Sequence, residues 1–347
     1  MKKSNSLMKQ KLIGIVGILL SMIFSSSCIS VKEVPPPQYI GSWIVYWDGD
    51  RGLAELERHK GLFRRVSMFA YELDAEGFPQ YAPGFDEIRP RFLSLSQKNG
   101  FSPWVTVVND MRVADKVFLK NSEILRKIMT TTDNRKKHIQ KLVEQVKKDG
   151  FAGLDLDYEG LEISDQEDFR VYITELGKGL KDSGLGFNVV VEPKKGPLPI
   201  PRTVSLTVMG YNLHGPHSKP GPRATPDFIL SLKQRGKGDV YAAPELAIAV
   251  GGFMWLSDGK VKQLDWVTGQ KLSVNAIQNR RQIFSRVPYA YLEGGSEIWF
   301  EDTDSIQAKW AAAYKSGFRS IMIWRLGGND DNLFAFLKNL QTSVKDR

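Results

Sequence analysis

Three acidic residues stand at alternate positions in the run Phe151 to Gly160: Asp155, Asp157 and Glu159. On a β-strand, residues two apart share a face and lie about 6–7 Å from one another. The three carboxylates therefore point one way, and Leu154, Leu156 and Tyr158 point the other, where a helical layer would cover them. Like charges in a row raise one another's pKa, and burying them unpaired is costly. Such a row persists mainly where function needs it, which makes catalysis the leading reading. A cation site is one alternative, but the run has no histidine partner and no calcium-loop pattern. A structural network satisfied by neighbouring hydroxyls and backbone groups is the other.

The elements that must position these acids form a regular series. Short apolar runs at 40–47, 63–71, 102–108, 153–158, 187–191, 205–211, 246–250 and 320–324 read as strands. Residues 133–149 read as a helix, with Ile139, Leu142, Val143 and Val146 at helical spacing and Gly150 as its stop. Ser164 with Glu167 suggests a capping box that opens another helix towards Lys181. Eight nearly all-apolar strands interleaved with helices predict an α/β fold, a closed parallel (β/α)8 TIM barrel. An open doubly wound sheet is disfavoured because no glycine-rich phosphate turn follows the first strand. Residues from about 260 to 300 are too long for one connection and predict a small α+β insertion between strands seven and eight. Within it, 275–284 reads as a helix and PYAYL and SEIWF as strands. In such a barrel the acids point inward, with Glu159 at the C-terminal rim, where barrel enzymes keep their sites. Other strand ends offer Trp47 and Asp48, Tyr71 and Glu72, and Asn109 and Asp110 as sugar contacts, on position alone. His214 and His217 lie in a Pro/Gly-rich loop and read as surface.

The sequence FAGLDLDYE resembles the fourth-strand signature of glycoside hydrolase family 18, the chitinase-like barrels, whose usual form is D-G-x-D-x-D-x-E. MGYNLHG at 209–215 is similar to the family's sixth-strand Met-x-Tyr element, and IMIWRLGG at 321–328 to its eighth-strand tryptophan. SEIWFEDTDSIQAKW resembles the segment leading into the last helix. The Trp-Arg-Leu-Gly wording and HGPHSKPGP look most like the spore-germination, cortex-lytic branch. The resemblance implies a glycosidase whose substrate supplies its own nucleophile, the N-acetyl carbonyl. It makes Glu159 the general acid and then base, and Asp157 the group that orients the acetamide. Asp155 would share a proton with Asp157, Tyr211 would donate to the acetamide oxygen, and Trp324 would floor the sugar pocket. Met209 and Asn212 join the substrate-binding set, with Trp47, Tyr71 and Asn109 at the other strand ends. Ala152 and Asn212 stand where the family commonly has aspartates. The first lies at the strand's start and is expected to affect packing; the second removes a charge near the acetamide. Both keep open a glycan-binding protein with a weakened site. No cofactor and no metal are implied.

The chain's ends and charge set its context. Of 347 residues, 42% are hydrophobic and 25% charged, an ordinary globular composition. Net charge is +9, but Lys2, Lys3, Lys9 and Lys11 supply four of those charges in an acid-free leader, so the rest carries only a mild excess. That disfavours a nucleic-acid partner. Lysines, an apolar run from Leu12 to Phe24, and Ser25-Ser26-Ser27 before Cys28 read as a lipoprotein-type export signal over 1–27. Cys28 is the sole cysteine and the expected lipidation site, anchoring the chain to a membrane of the bacterial envelope. The prolines of ISVKEVPPPQ make 28–38 an extended tether. The barrel is expected over 39–345, as a monomer acting on an N-acetylated glycan.

Overall fold

Alternation of β-branched and aromatic residues with helix-forming stretches gives the described chain its layers. The computed structural model describes residues 35–193, 200–201, 204–232 and 244–342. The signal, Cys28 and the first residues of the tether lie outside them. Pro36–Arg347 forms one compact unit. In chain order the strands are β1 (Ile40–Val45), β2 (Arg65–Leu73), β3 (Pro79–Tyr81), β4 (Ser102–Val113), β5 (Lys116–Phe118), β6 (Gly153–Asp157), β7 (Gly186–Val191), β8 (Ser205–Met209), β9 (Glu245–Ala249), β10 (Gly251–Trp255), β11 (Val261–Leu264), β12 (Gln278–Arg281), β13 (Pro288–Tyr291), β14 (Glu297–Glu301) and β15 (Ser320–Trp324). The helices are α1 (Gly49–Arg58), α2 (Phe85–Asn99), α3 (Ser122–Met129), α4 (Thr132–Lys148), α5 (Gln166–Asp182), α6 (Pro226–Ser231), α7 (Trp266–Val274), α8 (Thr303–Lys315) and α9 (Asp331–Thr342).

Strands β1, β2, β4, β6, β7, β8, β9 and β15 run parallel and close on themselves, because β2 pairs with both β1 and β4. This is the expected TIM barrel. Two short antiparallel strands extend it: β3 against β2, and β5 folding back on the end of β4. The insertion is a second sheet of five antiparallel strands in the order β11-β10-β14-β13-β12 with α7 packed on it. It begins at Gly251, immediately after β9, earlier than the sequence suggests.

Two local expectations fail. Residues 275–284 are not helical: Asn275 caps α7, and Gln278–Arg281 pairs with Pro288–Tyr291 as an edge strand. Their apolar residues have helical spacing but no buried face to serve, so pairing with PYAY decides the conformation. The box opening α5 is not Ser164 with Glu167. Glu162 and Asp165 satisfy each other's backbone around a 3-10 turn, and Arg126 holds Asp165 at 2.9 and 3.0 Å.

Inside the barrel, a polar layer lies below an apolar one. Arg65 reaches Glu245 at 2.7 Å and Asp155 at 3.6 Å. Asn188 donates to Asp155 at 2.8 Å and to Thr207 at 3.0 Å, and Thr207 donates to Glu245 at 2.8 Å. The Arg65 guanidinium also lies over the Trp104 ring at 4.6 Å. Trp43, Val190, Met209, Tyr211, Ala247, Ala249 and Met322 form an apolar cluster with Trp324 packed against it.

Candidate active site

Strand β6 pairs with β4 and β7 in a register that places Asp155 between Thr106 and Asn188, and Asp157 beside Val108. The alternation does what the spacing requires. Tyr158 turns to the helical layer, where it stacks on Tyr172 and bonds His138 at 3.1 Å. Asp155 and Asp157 point into the barrel, and Glu159 follows where β6 ends. A cavity of about 220 Å3 opens there, lined by Asp157, Glu159, Met209, Tyr211, Asn212 and Trp324 together with Phe69, Val108, Asn109, Asp110, Lys120 and Arg223. A larger groove of about 510 Å3 lies in the insertion, but it shares no residue with this cavity and holds none of the three acids.

The acids differ in their surroundings. Asp155 is fully buried and tied to Asn188, yet its Oδ2 has no hydrogen-bond partner. Asp157 is 8% exposed, and its Oδ1 is likewise unpartnered. Burial first, and then the Glu159 and Asp155 charges, push the Asp157 carboxyl well above the usual carboxylate range. Burial also raises Glu159, while the Lys120 ammonium, in direct contact with Glu159 Oε2, pulls it back down. A carboxyl held in the neutral form at moderate pH can donate a proton to a leaving oxygen.

Backbone contacts hold Glu159 in place. Asn109 accepts from the Glu159 N–H at 2.9 Å and donates to its carbonyl at 2.9 Å. Asn109 therefore positions the acid as well as lining the cavity. Lys120 has a left-handed backbone (φ +50) and donates its N–H to Asp110 at 2.8 Å, which aims its side chain at Glu159. On the opposite wall, burial and the nearby Asp157 charge raise the Tyr211 phenol well above its usual range, so it stays a proton donor. The Arg223 guanidinium lies 5.2 Å from that ring. Asn212 has φ +72, a left-handed conformation that asparagine tolerates better than most residues. Trp324 packs edge-on to Trp43 and Phe69 at 5.8 and 5.3 Å. The loop beyond it is gripped by the buried Glu55 of α1, which accepts from the N–H groups of Gly327 and Asn329, both at 2.7 Å.

Two expected contacts lie elsewhere. Tyr71 does not line the cavity: its hydroxyl bonds Asp149, and its ring packs on Tyr81, Phe85 and Phe151. Simple alternation from Ser67 and Phe69 would turn it inward. A register shift between Phe69 and Tyr71 sends it to the helical layer instead, leaving Phe69 as the inward aromatic. Trp47 is not a strand end, since β1 stops at Val45. It sits 50% exposed in a 3-10 turn, edge-on to Phe69 at 5.6 Å and so at the rim. Lys120, Arg223 and Phe69 escaped the sequence reading. The end of the third apolar run offers Asp110 with Asn109, but Lys120 and Arg223 lie in loops where nothing local announces a direction. Ala152 is exposed at the far end of β6, away from the cavity. Among the described residues, no cluster of three or more His, Cys, Asp or Glu is arranged to hold a metal ion.

A closed parallel barrel with an acidic strand end opening into an aromatic-walled cavity defines a (β/α)8 protein equipped for carboxylate chemistry. The family model of glycosyl hydrolases family 18 matches residues 118–330, and the chain belongs to that family of glycosidases. It is 18% identical to the uncharacterized glycosylase YvbX of Bacillus subtilis over 294 residues, 78% of this chain and 84% of the relative. Among solved structures, a chitinase from Chromobacterium violaceum superposes with a TM-score of 0.75 at 21% identity, covering 87% of this chain and 98% of that one. The spore cortex-lytic enzyme SleL of Bacillus cereus does so with a TM-score of 0.75 at 16% identity, covering 88% of this chain and 74% of that one.

Proposed function

We propose that this protein cleaves β-1,4 linkages of N-acetylglucosamine-containing glycans, peptidoglycan or chitin-type, by a substrate-assisted retaining mechanism. The observation that carries the reading is the pair of buried, unpartnered carboxylate oxygens on Asp155 and Asp157 directly below Glu159. An open oxygen of that kind is costly unless it shares a proton or awaits a donor. The N–H of a bound acetamide is such a donor for Asp157. In this reading Asp157 shares a proton with Asp155. Asp157 and Glu159 are two residues apart on one wall, so they do not face each other across a scissile bond as two opposed carboxylates would. The attacking group then comes from the substrate's own acetyl oxygen. Glu159 protonates the departing oxygen and later draws a proton from water. Tyr211 donates to the acetamide oxygen, and Trp324 offers a flat floor to the sugar ring.

The likeness to SleL and the leader ending at Cys28 support an exported, lipid-anchored protein of the bacterial envelope with peptidoglycan as substrate. The test is product analysis on defined oligomers. Wild type is expected to release products with retained anomeric configuration from N-acetylated chains and to leave de-N-acetylated chains intact. Glu159→Gln should lower kcat by about 10²–10⁴. Cleavage of de-N-acetylated chains at an equal rate, or full activity of Glu159→Gln, refutes the mechanism. Mass spectrometry of the mature N-terminus should find an acylated Cys28. One contact favours a second reading, a glycan-binding protein: Lys120 on Glu159 stabilises the ionised acid, which cannot donate. Tight glycan binding without turnover would select it.

A further inference from the structure

One stretch of the insertion differs chemically from the rest of the surface. From Trp266 to Leu292 the chain carries Lys271, Arg280, Arg281 and Arg286 and no acidic residue. The same stretch holds four of the six large apolar side chains that are more than 70% exposed among the described residues: Val274, Ile277, Ile283 and Phe284, at 74, 71, 84 and 80%. Scattered exposed apolar residues are ordinary, but a concentration of this kind marks an interaction surface.

The arrangement is built rather than slack. Ile283 and Phe284 sit at the tip of the turn joining β12 to β13. Arg286 donates its N–H to the Gln282 carbonyl at 2.8 Å, and Arg281 donates to the Arg286 carbonyl at 2.5 Å. Ser285 and Val287 are buried beneath, so the turn is pinned from below and the two apolar side chains project outward. Arg281 is committed to Asp302 at 2.6 Å, whereas Lys271, Arg280 and Arg286 are exposed and make no ion pair among the described residues. Val274, at the end of α7, and Ile277 precede β12 at its other end.

We propose that the β12–β13 turn and its flanks form a docking surface for an anionic phospholipid bilayer. Apolar tips ringed by unpaired cations match the two layers of a membrane interface: the tips enter the acyl boundary while the cations meet headgroup phosphates. A second copy of the chain fits poorly. The outer edge of β12 is Gln-Asn-Arg-Arg, a charged and polar edge that resists strand pairing, and two such surfaces repel. The proposal rests neither on the lipid at Cys28 nor on the glycosidase mechanism.

The test uses the compact unit Pro36–Arg347, which contains the whole barrel and lacks the leader and Cys28. It is sedimented with vesicles of equal parts phosphatidylglycerol and phosphatidylcholine, and with vesicles of phosphatidylcholine alone. Wild type should partition onto the anionic vesicles at low salt and be released as salt rises. Ile283→Ser with Phe284→Ser should lower that partition by about ten-fold or more. Arg280→Gln with Arg286→Gln should lower it by about ten-fold on anionic vesicles and leave neutral ones unaffected. All variants should melt at the wild-type temperature, since every altered side chain is exposed. Absence of binding, equal binding to both vesicle types, or binding that neither pair of substitutions weakens overturns the proposal. So does a dimer in sedimentation velocity that the Phe284 variant dissolves, which would make the surface a contact between copies.

Discussion

At the scale of single residues, the site is governed by what surrounds Glu159 and Asp157 more than by their identity. Among the described residues, Lys120 is the contact of Glu159 that lowers its proton affinity. Lys120→Met should therefore raise the Glu159 pKa and move the alkaline limb of the kcat/KM profile to higher pH. An unmoved limb would remove Lys120 from the control of the acid. Asp157 also affects stability. Its folded-state pKa is raised, so the folded protein binds this proton more tightly than the unfolded chain does. The stability tied to that proton is present at low pH and lost as pH rises through the raised value. Asp157→Asn should abolish turnover yet raise the melting temperature at pH 7, and the gain should shrink as pH falls towards about 4. The three acids were readable from their spacing, because a strand's two-residue period fixes a common face. Lys120 was not, since its direction comes from a left-handed backbone and a bond to Asp110, neither of which a single sequence displays.

At the scale of elements, the barrel strands stand out because burial on both faces makes them continuous apolar runs, and the structure shifts their ends by only a residue or two except on β4. Irregularities are where the reading fails. The register shift in β2 moves Tyr71 from the expected sugar contact to a bond with Asp149, where Tyr81 and Gln145 also converge. Tyr71→Phe should accordingly cost about 1–2 kcal/mol in urea unfolding and leave kcat/KM unchanged. A specific loss of activity would return Tyr71 to the site. Residues 275–284 mislead for a related reason: their apolar positions have a helix's spacing but are displayed rather than buried, so periodicity reports no packing there. Asn109 shows an element's end serving the site at one remove. With both amide bonds to the Glu159 backbone removed, Asn109→Ala should lower kcat by about ten-fold or more while KM changes little.

At the scale of the whole molecule, a buried polar layer crosses the barrel interior and links several strands. Arg65 stands between Glu245 and Asp155, and the latter belongs also to the acidic row that leads to the cavity. Arg65→Met leaves two acids in the interior without their cation and should cost about 3–5 kcal/mol; adding Glu245→Gln should recover much of that loss. Equal stability of the single variant and wild type would show the layer to be neutral. The grip of Glu55 on the loop after Trp324 joins parts of the chain 272 residues apart. Among the described residues, the first helix thus grips the loop that follows the last strand. Strand β6 and its acids are made long before Trp324, so a nascent or truncated chain carries the acidic row before the aromatic wall of its cavity exists.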